Sequence, residues 1–255
     1  MKSLKIRNFP ALTYARAEAV NTLCVNLSFS GVNVKRIMVT SSHAAEGKSS
    51  LSMNIMRTMA NMGYRVTLVD ADLRRSTIEK SYRLFTEDGN RKVGLADYLA
   101  GRADIEDVLY STNIANAWMV PVGRLLSNPL PLLNSSRLET LLNELTQRVD
   151  YVIVDAPPVG TVIDAAPIAK YCDGTLLAVR YNSVRRQELI NTKNQLEQTG
   201  CPILGTVLTM VKYDNYVTKH YYYKTYYTHY SIDAVKPHSK AGRAERKAKR
   251  KSKEA

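Results

Sequence analysis

The chain has 255 residues and 45% hydrophobic content, enough for one globular α/β domain with a tail. No apolar run is long enough to cross a membrane, and the first residues lack the apolar core of a secretion signal, so we expect a cytoplasmic protein. The net charge is +13, and the three cysteines are too few and too scattered for a disulfide framework or a zinc site.

Helical and strand patterns alternate along most of the chain. The predicted helices lie at residues 12–29, 48–61, 94–100, 104–110, within 130–149, after Asp164, and at 185–199. The predicted strands lie at residues 36–41, 66–69, 118–122, 151–155, 175–181 and 203–211. Residues 76–92 are polar and are predicted to form a loop. This alternation predicts a doubly wound, mostly parallel α/β sheet flanked by helices.

A candidate phosphate-binding loop follows the first of these strands. The apolar strand leads into a small polar turn that ends in Gly47-Lys48-Ser49, where a helix begins. Backbone N–H groups at a helix start, together with the helix dipole, favour an anion. In such a loop the lysine reaches the terminal phosphates and the serine hydroxyl holds Mg²⁺. Ser42 stands where the Walker pattern has its first glycine, so an ordinary strand-to-helix turn is also compatible with this segment alone.

Two later strands end in carboxylates. One is followed by Asp70-Ala-Asp72-Leu-Arg74, and the other ends in Asp155 before two prolines that cannot continue a strand. Ligands of open α/β sheets bind at the carboxyl ends of strands, where acids can hold a metal ion or accept a proton. The Asp155 segment has the form of a Walker B strand, whose aspartate organises Mg²⁺. A capped turn is the alternative for the Asp70 segment.

Composition changes sharply after the last predicted strand. Eight of the sixteen tyrosines form a cluster: Tyr213, Tyr216, Tyr221, Tyr222, Tyr223, Tyr226, Tyr227 and Tyr230. From residue 235 onward there are nine Lys/Arg and two Glu, which predicts a disordered basic tail. A tyrosine-rich edge strand and an RNA-stacking tract are alternatives for the cluster. The tail is compatible with nucleic acid, an anionic membrane surface, or neither.

Three motifs therefore occur in a fixed order, at 46–49, 70–74 and 152–158, each at the predicted end of a buried strand. Together with the tyrosine cluster, they resemble the bacterial tyrosine kinases of capsule and exopolysaccharide clusters, which are related to MinD/ParA P-loop ATPases. The resemblance covers roughly residues 15–230. It implies a P-loop NTPase fold, ATP and Mg²⁺ as cofactors, and phosphoryl transfer to tyrosine.

The resemblance also implies a role for each motif residue. The implied catalytic residues are Lys48, Asp70, Asp72, Asp155 and Arg74. The implied nucleotide-binding residues are Ala45, Glu46, Gly47, Lys48, Ser49 and Ser50, and the implied Mg²⁺ ligands are Ser49, Asp72 and Asp155. Asp70 is the candidate base beside the incoming tyrosine, whose hydroxyl has a pKa of about 10 in solution. Arg74 would stabilise phosphate charge or a subunit contact, and the eight clustered tyrosines are the predicted sites of autophosphorylation.

Two features depart from the family pattern. Ala44 and Ala45 replace the usual Pro and Gly of the loop, which is expected to weaken its fit to phosphate. The family's first helix often carries Glu-x-x-Arg-x-x-Arg for ring assembly, whereas this chain has Glu18, Asn21 and Cys24 at those positions. The usual ring is therefore not assumed, and the oligomeric state stays open.

The interpretation divides the chain into a P-loop kinase/ATPase domain at 1–211, the tyrosine cluster at 212–231 and the disordered basic tail at 232–255. The resemblance implies a kinase at the inner face of the cell membrane, held by a transmembrane activator that regulates polysaccharide chain length and export. Tyrosine-containing protein substrates and a cognate tyrosine phosphatase are the other expected partners. A homo-oligomer is compatible with the sequence, and a nucleic-acid partner is not expected.

Two other functions stay open. A MinD/ParA-type ATPase shares the core, but such proteins carry a second lysine early in the loop, where this chain has His43. A catalytically weakened scaffold or phospho-acceptor is favoured by Ala44, Ala45, Asn21 and Cys24, and the intact lysine and acidic motif residues oppose it.

Overall fold

The computed structural model describes residues 2–87, 89 and 91–211. The predicted tyrosine cluster at 212–231, with its eight phosphorylation sites, and the basic tail at 232–255 lie outside the described residues. The chain divides into units Met1–Met210 and Val211–Ala255, and the fold below is that of the first. The predicted domain boundaries stay predictions.

Nine helices and nine strands occur in the described residues. The strands are β1 (Lys2–Ile6), β2 (Arg36–Ser41), β3 (Val66–Asp70), β4 (Leu84–Thr86), β5 (Tyr110–Thr112), β6 (Ala117–Val120), β7 (Tyr151–Asp155), β8 (Gly174–Arg180) and β9 (Ile203–Thr209). The helices are α1 (Tyr14–Ser28), α2 (Lys48–Asn61), α3 (Ile78–Tyr82), α4 (Leu95–Leu99), α5 (Ile105–Val108), α6 (Leu130–Leu133), α7 (Ser136–Arg148), α8 (Ala165–Ala169) and α9 (Arg186–Glu197).

All nine strands join one sheet in the order β4-β1-β5-β6-β3-β7-β2-β8-β9. Six neighbouring strands, from β6 to β9, are parallel to one another. Among the strands that the structure describes, antiparallel pairing is confined to β1 with β4 and β5 with β6. The predicted doubly wound, mostly parallel sheet is confirmed.

The sheet is covered on both faces, which is why its central strands are almost continuously apolar. On β2, Met38 belongs to the core formed with α4, α5, α7 and α8, whereas Ile37 and Val39 belong to the core formed with α1 and α2. Helix α7 contributes four fully buried leucines to the first core: Leu138, Leu141, Leu142 and Leu145. Among the described residues, no helix combines the length and the hydrophobicity that a membrane span requires.

The structure corrects several predicted elements. Residues 76–92 are not all loop, because buried Ile78 and Tyr82 lie four residues apart on one face of α3 and β4 follows. Strand β1 was not predicted, since its alternating segment is short and is stabilised by distant partners, β4 and β5. The helix predicted at 104–110 ends at Val108. The helix predicted within 130–149 is α7, and the short helix α6 before it was not predicted.

Candidate active site

The three motifs meet at the carboxyl ends of three adjacent strands. Strands β3, β7 and β2 are neighbours, and the register pairs Asp70 on β3 with Asp155 on β7. The loop after β2 leads to Lys48, the first residue of α2. Parallel strands therefore bring the lysine and the carboxylates from distant parts of the chain to one edge of the sheet.

Lys48 is held between two carboxylates. Its ammonium donates to Asp72 Oδ2 at 2.9 Å and lies 3.6 Å from Asp155 Oδ2. Ser49 Oγ is 3.3 Å from the same nitrogen, so three of the predicted site residues surround it. Lys48 is 8% exposed, Asp72 is 4% exposed and Asp155 is fully buried. The predicted constellation is thus brought together in the described structure.

Burial and charge compete in setting the protonation of this group. Burial alone would lower the pKa of Lys48, but nearby Asp155 and Asp72 raise it above its usual value, so the ammonium stays charged. Burial also raises the pKa of Asp155, and Lys48 together with the Ser49 and Ser52 hydroxyls offsets part of that effect. The lysine and Asp155 therefore stabilise each other's charged forms.

Asp70 has a different environment from the other carboxylates. Burial, and then the charge of Asp155, raises its pKa to about 8, although a hydrogen bond from the Ser76 hydroxyl to Oδ2 works in the opposite direction. Its Oδ1 has no hydrogen-bond partner among the described residues. In its ionised form, a carboxylate with a raised pKa is a stronger proton acceptor than an ordinary aspartate, as a general base requires.

The phosphate loop is built from backbone conformations that favour glycine. Gly47 has φ of 84° and Ala45 has φ of 62°, both in the left-handed region. Glu46 lies between these two residues, and its carboxylate accepts the His43 N–H at 2.7 Å. The Ser41 hydroxyl donates to the His43 carbonyl at 2.7 Å. The loop therefore adopts its conformation without the glycine that usually stands at position 45.

Arg74 is engaged within the protein. Its guanidinium forms a bidentate ion pair with buried Asp164, one bond of which is 3.1 Å from Nη2 to Oδ1. A third nitrogen donates to the Ser127 carbonyl at 2.6 Å. Arg74 thus joins the loop after β3 to the loop after β7, and its predicted role toward phosphate or a second subunit stays a prediction.

Comparison with known proteins assigns this site to a family. The AAA domain family model matches residues 34–199. The tyrosine-protein kinase CpsD of Streptococcus pneumoniae is 38% identical over 209 residues, which cover 82% of this chain and 89% of that protein. The chain belongs to the bacterial tyrosine-protein kinase family. The family and the enzyme class predicted from the sequence are confirmed.

Solved structures agree with this assignment. The kinase domain of the Escherichia coli tyrosine kinase ETK matches with a TM-score of 0.71 at 26% identity, covering 81% of this chain and 83% of that one. The septum site-determining protein MinD of Pyrococcus horikoshii OT3, solved with Mg-ADP, matches with a TM-score of 0.55 at 23% identity, covering 68% and 69%. The MinD likeness shows the fold alone, and the P-loop NTPase fold predicted for the kinase family is confirmed.

The residues of this kinase fit a nucleotide with Mg²⁺. Helix α2 has no side-chain cap, so its first N–H groups are available to an anion. Asp155 Oδ2 is buried without a hydrogen-bond partner among the described residues. Mg²⁺ prefers oxygen ligands and usually shares them with water and phosphate. Accordingly, the described residues hold no cluster of three His, Cys, Asp or Glu side chains that could enclose a metal ion alone. Ser49, Asp72 and Asp155 are the oxygen donors present for the shared arrangement.

Four supporting residues of the kinase site were not predicted from the sequence. Ser52 donates to Asp155 Oδ1 at 3.0 Å, Ser76 donates to Asp70, and Asp164 pairs with Arg74. Thr209 donates to the carbonyl of Glu46 at 2.6 Å. Ser52 could have been found, because it lies four residues after Lys48 on the same helix face. Ser76 lies six residues after Asp70, in the loop that follows β3, whereas the Asp164 and Thr209 contacts join distant parts of the chain and have no local sequence signal.

Replacing Ala45 by glycine is expected to stabilise the kinase by about 1 kcal/mol, because glycine adopts a positive φ without the steric cost of a Cβ. The free energy of unfolding from chemical denaturation measures the effect. Ala44 is the matched control, since its φ is not positive and Ala44→Gly should destabilise through lost backbone restriction. Equal changes in the two variants would contradict the strain assigned to Ala45.

Proposed function

We propose that the chain is an ATP-dependent protein tyrosine kinase that phosphorylates its own C-terminal tyrosine cluster. The observation that carries the proposal is the buried Lys48 ammonium, 2.9 Å from Asp72 and 3.6 Å from Asp155, at the ends of three parallel strands. Family membership and eight tyrosines between residues 213 and 230 support the choice of tyrosine as acceptor.

Each site residue has a separable task. Lys48 and the N–H groups at the start of α2 bind and orient the terminal phosphates. In its ionised form, Asp70 accepts the proton of the attacking tyrosine hydroxyl through its unpartnered Oδ1, while Ser76 holds its other oxygen. Ser49, Asp72 and Asp155 are the oxygen donors for Mg²⁺, and Ser52 fixes the orientation of Asp155. When bound, Mg-ATP supplies the phosphoryl group and the cation that neutralises its charge.

Phosphorylation would change the charge of the C-terminal segment. Each phosphate adds about −1.5 to −2 charges at neutral pH. Several phosphates would therefore reverse the sign of residues 213–230 and alter contacts with the basic residues beyond 235 or with a second subunit. This reversal is the proposed switch by which autophosphorylation regulates the protein.

The proposed setting is the inner face of the cell membrane, where a transmembrane activator would hold this cytoplasmic kinase. The proposed process is the control of capsular or exopolysaccharide synthesis and chain length, with a cognate phosphatase to reset the tyrosines. Kinship with CpsD supports this setting. The basic tail would add attraction to anionic lipid of about 1 kcal/mol per Lys or Arg near the surface.

Replacing the tyrosine cluster tests the proposed acceptor directly. A variant with all eight tyrosines of 213–230 changed to phenylalanine is expected to lose nearly all phosphotyrosine after incubation with Mg-ATP. Phenylalanine keeps the ring but removes the attacking hydroxyl. Phosphotyrosine is quantified by mass spectrometry of the purified chain, with and without the cytoplasmic segment of a candidate activator.

The matched control is the Tyr14→Phe, Tyr181→Phe double variant, because both side chains are exposed in the folded domain. It should keep the full phosphotyrosine content. Unchanged phosphotyrosine in the eightfold variant would refute autophosphorylation of the cluster.

A further inference from the structure

Neighbouring elements hold the phosphate loop from its outer side. Thr209, the last residue of β9, donates its hydroxyl to the Glu46 carbonyl at 2.6 Å. On α9, the Thr192 hydroxyl donates to Ser42 Oγ at 3.0 Å within the protein interior. Ser42 stands at the first glycine position of the Walker pattern, and side-chain hydroxyls from α9 and β9 therefore hold this loop at two places.

The Thr209 contact falls at the most constrained part of the loop. Glu46 lies between Ala45 and Gly47, both with positive φ. An alanine in this conformation is strained and persists only where surrounding contacts determine it. Beside the hydrogen bond, a Cβ placed on Gly47 would lie 3.4 Å from Thr209 Cβ, so the end of β9 packs directly against the turn.

The orientation of Lys48 depends on this turn. Gly47 immediately precedes Lys48, and the Gly47 carbonyl accepts the Leu51 N–H at 2.9 Å in the first turn of α2. A rotation of the peptide between Glu46 and Gly47 would therefore move both the lysine and the N–H groups at the helix start. The Glu46 carbonyl is part of that peptide, and Thr209 is its hydrogen-bond donor.

We propose that Thr209 is a positioning residue for nucleotide binding: its hydroxyl fixes the Glu46–Gly47 peptide, so that Lys48 and the first N–H groups of α2 face the phosphates. Thr209 contacts neither the carboxylates nor the lysine in the described structure, and it acts through the loop backbone alone. The inference rests on the proposed use of ATP. It predicts that affinity for nucleotide, rather than the chemical step, depends on this hydroxyl.

The test uses the full chain and Mg-ADP as the probe. Thr209→Val keeps the shape of the side chain and removes its donor, and the dissociation constant measured by titration calorimetry is expected to rise about fivefold. Thr209→Ser keeps the donor and should restore the wild-type value. In kinase assays, the KM for ATP should rise in Thr209→Val while kcat stays unchanged, because the carboxylates are untouched.

Thr206→Val is the matched control, since Thr206 lies on the same strand three residues before Thr209 and its side chain is exposed. It should bind Mg-ADP as the wild type does. An unchanged dissociation constant in Thr209→Val, or equal weakening in Thr209→Ser and Thr209→Val, would overturn the inference alone. Failure of the wild-type chain to bind Mg-ADP would instead overturn the proposed function, and this inference with it.

Discussion

Replacing Lys48 by methionine is expected to lower the rate of phosphate transfer by about 10³-fold or more. The ammonium is the positive side chain that the structure places between Asp72 and Asp155, and methionine fills a similar volume without charge. Without it, the buried carboxylates would repel both one another and the incoming phosphates. The measurement is the rate of phosphate incorporation from labelled Mg-ATP.

Lys193→Met is the matched control for this loss. Lys193 is exposed on α9, where it pairs with Glu197 one helical turn away, and such exposed pairs contribute little to stability. The control should retain the wild-type rate. A Lys48→Met variant that remains folded and transfers phosphate at a rate close to that of the control would contradict the role assigned to the lysine.

Replacing Asp70 by asparagine is expected to reduce kcat by about 10²- to 10⁴-fold, the usual contribution of a general base. Asparagine has nearly the same shape but cannot accept the tyrosine proton. Lys48 and Asp72 do not depend on Asp70 for their 2.9 Å contact, so affinity for Mg-ADP should change little. Single-turnover kinetics and an ADP titration separate these two effects. A normal kcat would exclude Asp70 as the base.

The Asp70→Asn variant should be more stable than the wild type at alkaline pH. The folded protein holds the Asp70 proton up to about pH 8, whereas an ordinary aspartate releases it near pH 3.8. Folded protein therefore binds more protons between these values, and the free energy of unfolding falls as the pH rises through this window. Asp70→Asn removes that loss. The difference in Tm between the variant and the wild type should therefore grow from pH 4 to pH 8 when Mg²⁺ and nucleotide are absent.

Asp150→Asn provides a control of opposite sign. Hydrogen bonds from Arg65 lower the pKa of Asp150, so its carboxylate stabilises the fold above its usual pKa, and that contribution is lost as the pH falls. At pH 8 the Asp150 variant should be no more stable than the wild type. The contrary result is a gain in Tm at pH 8 by Asp150→Asn that is as large as the gain by Asp70→Asn. That result would mean that the burial of Asp70 does not cause the gain of the Asp70→Asn variant.

The sequence predicted those parts of the kinase that are locally encoded. Apolar strands that end in acids predicted β3 and β7, and Gly47-Lys48-Ser49 predicted the start of α2. Because parallel strands align their carboxyl ends, the proximity of Lys48 to Asp72 and Asp155 could be expected from the sequence. The short edge elements β1 and β4 could not, since their stability comes from pairing across the chain.

Two of the supporting contacts could not be predicted, because their partners are far apart in the sequence. The ion pair of Arg74 could not be predicted, because its partner Asp164 is 90 residues away in the chain. Thr209 is 163 residues from Glu46. The expected weaker fit of the loop to phosphate stays a prediction. The structure holds Ala45 in the left-handed conformation beside Glu46, whose carbonyl accepts the hydrogen bond from Thr209, and no local pattern predicts that distant contact.

Tyrosine autophosphorylation by this site can be measured as the intact mass of the purified full chain after incubation with Mg-ATP. We expect mass increases equal to whole numbers of phosphoryl groups, which fragment analysis places on tyrosines between residues 213 and 230. Hydrolysis of ATP without any gain in mass, with or without a candidate activator present, would contradict it and would favour an ATPase of the MinD/ParA type.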